Sequence, residues 1–266
     1  MKITFIGLSC FLIENQRGYK ILIDPFEDNP EWSLGPVFPS TLNDKALGAN
    51  ITLISEPDAD HSRSVAGLLQ TAPNTKPTED PFPGLNLRGT IVYEFNGEMN
   101  IAWHYTIDGF RLAHFADNSH LLTKQQLDEL GSPDIIFVSP PKAHPDNQDA
   151  VAIIKNNIQL LKPKVIIWAH HIAPQNLPAS DDPQILRDFF RNYFQKNART
   201  NIGYTGGEDF LPLCYALENA ITMSRQYLAQ NIQQPTLEIT SDMVEKGKTK
   251  PISILFRVMA ARSVTD

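Results

Sequence analysis

The stretch ITLISEPDADHS, residues 51–62, runs from an apolar strand into a loop that carries Glu56, Asp58, Asp60 and His61 within six residues. Side chains two apart in an extended chain point the same way, so this spacing puts Glu56, Asp58 and Asp60 on one face and turns His61 aside. Like charges held that close repel unless a cation sits among them. The same residues also suit a solvated acidic turn, with Asp60 capping a helix that starts near Ser62.

The pattern recurs further along. His114 and Asp117 follow the strand FRLA, and His170 and His171 follow the strand VIIWA. Three strands thus deliver His or Asp at their ends. In an α/β sandwich the strand ends of a layer lie close together, which brings distant residues into one coordination sphere.

Working outward, residues 2–6, 10–14 and 20–23 read as three short strands with a turn at 15–18, an antiparallel start. The third ends at Asp24-Pro25, leaving a carboxylate at a strand tip where proline stops the ladder. An irregular loop over 27–50 leads to the strand at 51–55, and SRSVAGLLQ after His61 suits a short helix. After a Pro-rich loop come strands at 90–94, 100–105 and 110–113, a helix at 124–130 and a buried strand at 134–139. A helix at 149–161, stopped by Pro163, precedes a strand at 164–168, and strand, helix, strand implies a parallel pair. Helices are expected at 183–197 and 210–229, with a turn at 203–207 between them. Segments 236–240 and 252–259 read as a strand pair. The GYTGGE run at 203–208 lacks the lysine and spacing of a phosphate-binding loop.

The 266 residues contain no linker or repeat, so one domain is expected, with a helical insertion or cap at about 174–235. With 23 Lys+Arg against 30 Asp+Glu the formal charge is −7, and no basic stripe is present, which disfavours nucleic acid as a partner. Cys10 and Cys214 are too few for a disulfide framework and are expected to be core thiols. The start, MKITFIGLSCFLI, lacks a basic segment before its apolar run, and no stretch reaches roughly 18 apolar residues, so a cytoplasmic protein without a membrane span is expected. The expected partner is a small-molecule substrate, with self-association left open. His104, His120 and His144 lie off the recurring pattern and read as structural or exposed, though His120 could reach a cleft rim.

The segments MKITFIGLSCFLIE, YKILIDPF, SEPDADHS, IDGFRLAHFADNSHLLTKQQLDELGSPDIIFVSP and DAVAIIKNNIQLLKPKVIIWAHH, spanning about residues 1–171, resemble the metallo-β-lactamase superfamily. The branch they are most similar to is that of metal-dependent hydrolases related to ascorbate-6-phosphate lactonase. The family motif His-x-His-x-Asp-His keeps its second half here as Asp60-His61, while Glu56 and Asp58 stand in place of the first two histidines. Leu8 stands where many relatives carry histidine.

The resemblance implies a four-layer αββα sandwich and one or two divalent ions. One metal position would use Glu56, Asp58 and His114, the other Asp60, His61 and His170, with Asp117 bridging them. Replacing imidazoles by carboxylates favours harder ions, so Mn, Fe and Mg join Zn as candidates. The implied chemistry is hydrolysis of a small ester, lactone or phosphoester by a metal-activated water that Asp60 or Asp117 orients. Asp24 resembles a residue that orients a ligating imidazole, and His171 stands where relatives often place tyrosine, in reach of substrate. The alternative is a non-catalytic relative with a partly dismantled metal site, acting as a binding or scaffold protein.

Overall fold

The computed structural model describes residues 1–26, 48–58, 60–61, 69–70, 82–115, 117–174, 176–197 and 211–260. Lys2–Gly7 (β1), Cys10–Glu14 (β2) and Lys20–Ile23 (β3) form the antiparallel start. The turn joining β2 to β3 is closed by Asn15, whose Oδ1 accepts from the backbone N–H of Arg17 and of Tyr19. Ile51–Leu53 (β4) then adds parallel to β3, and Leu69–Gln70 (β5) parallel to β4.

Arg88–Tyr93 (β6), Met99–Ile107 (β7) and Phe110–His114 (β8) make an antiparallel meander. Helix α1, Lys124–Leu130, opens on a capping box in which Thr123 and Gln126 satisfy each other's backbone N–H. Ile135–Val138 (β9), helix α2 at Gln148–Leu161 and Val165–Trp168 (β10) form the expected unit, with β9 and β10 parallel. There follow α3 (Pro183–Asn197), α4 (Leu211–Ser224), β11 (Leu228–Ile232), β12 (Thr236–Glu238), α5 (Ser241–Gly247) and β13 (Ile252–Phe256).

The strands form two mixed sheets, ordered β12-β1-β2-β3-β4-β5 and β11-β13-β10-β9-β8-β7-β6. This is the α/β architecture expected of a metallo-β-lactamase sandwich. Strands β9, β10 and β13 are buried along their whole length, as strands covered on both faces must be, which explains the unbroken apolar runs of β9 and β10 and the single polar residue of β13, Ser253, which accepts from Trp168 Nε1. Between the sheets, Phe11 of β2 stands edge-on to Phe137 of β9 at 4.8 Å, and Phe5 of β1 stacks on Phe256 of β13 at 5.5 Å. Cys10 and Cys214 are both buried free thiols.

Several expectations fail for physical reasons. The second late helix stops at Ser224, because the next residues turn tightly (Gln226 N–H to Met223 O, Tyr227 N–H to Ser224 O) and Leu228 and Ala229 join the edge strand β11. The closing segments do not pair with each other. Thr236–Glu238 extends the first sheet beside β1 while Ile252–Phe256 enters the second between β10 and β11, and the unexpected helix α5, capped by Thr240, carries the chain across. Residues 62–68, 27–47 and 203–207 lie outside the described residues, and with them most of the helix expected after His61, most of the first long loop and the Gly-rich turn; Leu69 and Gln70, assigned to that helix, are strand. Among the described residues no helix is long and apolar enough to cross a membrane.

Strand direction then places the site. β4 runs parallel to β3, and β8, β9 and β10 run parallel to one another, so the C-terminal ends of each set lie at one edge. Ligands of α/β sheets gather at such edges. Truncating the ring that holds the two sheets together, Phe11→Ala, is expected to lower stability by about 3–5 kcal/mol in guanidinium unfolding; a loss under about 1 kcal/mol would show that the sheets do not depend on it.

Candidate metal centre

Asp24 follows β3 in the left-handed region (φ 44°) with no solvent exposure. Its N–H donates to Leu53 O at 2.9 Å, fastening it to the end of β4. Its carboxylate accepts from Ser55 N–H and Ser55 Oγ, each at 2.7 Å, and lies 3.0 Å from Nδ1 of buried His61. With His61 donating through Nδ1, Nε2 is aimed away from Asp24 into the edge between the sheets.

A second carboxylate–imidazole pair comes from the other sheet. Asp117, three residues beyond β8, brings Oδ1 to 2.5 Å from Nδ1 of buried His170, two residues beyond β10. His170 Nε2 in turn lies 3.3 Å from Asp60 Oδ2. The two imidazoles approach with ring centroids 4.9 Å apart. Ligand atoms of Asp60, His61 and His170 all lie within 4.8 Å of one another, and so do those of Glu56, His61 and Asp117. Carboxylates that pin imidazoles through one nitrogen and leave the other facing a common point are the usual support of metal-ligating histidines.

His170 and Leu8 are also left-handed, at φ 49° and 50°. They are tied together by His170 N–H to Leu8 O at 2.8 Å and Leu8 N–H to His171 O at 2.9 Å. Non-glycine residues in this region cost about 1–3 kcal/mol each and persist where the surroundings over-determine them.

Glu56 is buried, and its Oε2 accepts from Asn100 Nδ2 at 2.6 Å. Its Oε1 stands 2.6 Å from His61 Nε2 without the alignment of a hydrogen bond, and among the described residues neither atom has such a partner. Burial pushes the Glu56 carboxyl up to about 9, against the downward pull of His61. Burial works against a charged His61 as well, yet Asp24 and Glu56 hold its pKa well above the ordinary value. Asp60 and Asp117 are moved the other way. Burial opposes their ionisation, but His170, His61 and Lys142 outweigh it and hold both below the usual carboxylate range.

The sequence-predicted residues divide accordingly. Glu56, Asp60, His61, Asp117 and His170 come together, with Asp24 behind His61. Asp58 has an exposed side chain outside both groups, and its carbonyl accepts from His61 N–H at 2.8 Å. His114 lies deeper, its ring near Phe11 and Phe137, with Nε2 3.3 Å from Ser9 O and Nδ1 3.7 Å from Asp24 Oδ2. Burial lowers its pKa. His171 faces away from the centre: it stacks on Phe5 at 4.7 Å, its Nε2 is 2.9 Å from Phe256 O, and burial lowers it to about 4. His120 is exposed, with Nε2 2.7 Å from Glu94 O.

Three participants escaped the sequence reading. Ser55 serves Asp24, Asn100 of β7 serves Glu56, and Lys142 in the loop after β9 places Nζ against Asp117 Oδ2. Only Lys142 left a signal, since it follows a strand whose neighbours on both sides end in ligand-type residues.

The donor set fits a divalent ion. Two buried atoms without a hydrogen-bond partner among the described residues, Glu56 Oε1 and His61 Nε2, face each other and carboxylate and imidazole groups already oriented by hydrogen bonds. Asp24→Asn is expected to weaken binding of Zn²⁺ or Mn²⁺ by about 10–100-fold in calorimetric titration, an unchanged affinity counting against this role for Asp24. In the metal-free protein Glu56 holds its proton more tightly folded than unfolded. That stabilisation is therefore full below pH 4.5 and is lost as pH rises towards about 9. Melting temperatures of chelator-treated protein should fall over that range, with the same sign from His61 and less steeply in Glu56→Gln; identical slopes in the two proteins would contradict the buried acid.

No curated protein matches the sequence. Among solved structures, a metallo-β-lactamase superfamily protein of Thermotoga maritima superposes with a TM-score of 0.56 at 19% identity, covering 96% of this chain and 98% of its own. Igni18, a metallo hydrolase of Ignicoccus hospitalis, matches at TM-score 0.46 and 21% identity over 73% of this chain and 90% of its own. The isothiocyanate hydrolase from Delia radicum gut bacteria matches at TM-score 0.46 and 14% identity over 64% of this chain and 85% of its own. The family profile described as a beta-lactamase superfamily domain matches residues 2–170, well over half of the chain, and the protein belongs to the metallo-β-lactamase superfamily.

Proposed function

We propose that the protein is a metal-dependent hydrolase acting on a small ester, lactone or phosphoester. The observation that carries this reading is the pair of oriented imidazoles, His61 held by Asp24 and His170 by Asp117, whose Nε2 atoms converge with Asp60. A divalent ion bound there polarises a carbonyl or phosphoryl oxygen and makes water a nucleophile near neutral pH. The carboxylate-rich donors suit Mn, Fe, Zn or Mg.

This chain's residues supply the rest. A cavity of about 740 Å³ reaches Asp117 and Lys142 and is walled among the described residues by Phe95, Pro140, Pro141 and Ile153. Its size suits a small molecule. Half-buried Asp60 is placed to orient the attacking water, and the Lys142 ammonium steadies negative charge on the substrate oxygen.

The second reading, a non-catalytic binding or scaffold relative, is favoured by Asp58 standing outside the centre and by His114 being engaged with Ser9. Elemental analysis of protein purified without chelator or nickel separates the two. Near-stoichiometric Mn, Fe or Zn, lost in the Asp60→Ala/His170→Ala double variant along with turnover of generic esters or phosphodiesters, is expected. Wild-type protein that stays empty after incubation with those ions would leave the scaffold reading in its place.

A further inference from the structure

We propose that Lys142 is a built-in cation of the centre, and that the site therefore takes a single divalent ion on Asp60, His61 and His170, with the Lys142 ammonium in the place of a second. This rests on the metal-binding reading above and adds to it a stoichiometry and the residue that sets it.

Lys142 is delivered by a constructed loop. Asn219 on α4, 2% exposed, donates its Nδ2 to Pro141 O at 2.8 Å and to Ala143 O at 3.0 Å, gripping the backbone on both sides of the lysine. Pro140 and Pro141 fix φ on the approach. The ammonium then meets Asp117 Oδ2, while the other oxygen of Asp117 receives His170 Nδ1. Both oxygens of the carboxylate expected to bridge two ions are thus engaged by this chain's own groups.

A second ion would find no separate set of donors, because the remaining group, Glu56 with His61 and Asp117, draws on the same His61 and on the Asp117 that Lys142 already meets. Asp58 is exposed, His114 Nε2 faces Ser9 O, and Glu56 Oε2 is taken by Asn100. Charge points the same way. Asp24, Glu56, Asp60 and Asp117 carry at most four negative charges. One divalent ion together with Lys142 leaves at most one of them uncompensated, whereas two ions together with Lys142 would leave surplus positive charge in a largely buried site.

The test is binding stoichiometry. Chelator-treated wild type, Lys142→Arg, Lys142→Met and Lys142→Ala are titrated with Mn²⁺ and with Zn²⁺ by calorimetry, and bound metal is counted by mass spectrometry after gel filtration. Wild type and Lys142→Arg should bind one ion, and Lys142→Met and Lys142→Ala should gain a second. Two ions in wild type would overturn the proposal and leave the hydrolase reading standing, as would one ion of unchanged affinity in Lys142→Met and Lys142→Ala. Wild type that binds none would remove the hydrolase reading itself.

Discussion

The site depends on one buried carboxylate. Asp24 has no contact with solvent, and a charge in that position persists only if donors surround it. The donors are Ser55 N–H, Ser55 Oγ and His61 Nδ1, all from the segment after β4. Satisfying Asp24 therefore fixes the course of that segment and aims His61 Nε2. Asp117 repeats the device for His170 from the opposite sheet. Because each pair belongs to a different sheet, the gap between the imidazoles is set by how Phe5, Phe11, Phe137 and Phe256 pack in between.

Holding this arrangement opposes folding locally. Leu8, Asp24 and His170 are held left-handed, and Glu56 and His61 bring buried polar atoms together without a hydrogen bond. The buried strands β9, β10 and β13 offset that cost, since each fully buried Ile, Val or Phe contributes about 1.5–3 kcal/mol. The rigid core is thus the condition for a strained and charge-dense edge. A divalent ion would relieve it, replacing the proton on His61 and joining the carboxylates.

Much of this was legible in the sequence, for a definable reason. The apolar runs IIFV and VIIW, with a helical stretch between them, announce the parallel pair β9 and β10, which puts His170 at one edge; Asp117 joins it there because β8 also runs parallel to β9. The family motif supplied Asp60 and His61. What escaped depended on side-chain direction and tertiary choice. His114 follows its strand as a ligand would, yet its ring turns towards Ser9 and the aromatic core, and His171, next to His170, points to Phe256 O. The period-two argument placed Asp58 beside Glu56 and Asp60, but the chain turns after Glu56 and leaves it in solvent. β11 was hidden because LAQNI has no strand alternation of its own and is strand only through pairing with β13.

His61 and His170 are aimed at a single point shared with Asp60. Anomalous diffraction from crystals soaked in Mn²⁺ and recorded on both sides of its absorption edge tests it most directly. One strong peak is expected between the Nε2 atoms of His61 and His170 and the Asp60 carboxylate. A peak elsewhere, or density at that point explained by water alone while the ion occupies the surface, would contradict it.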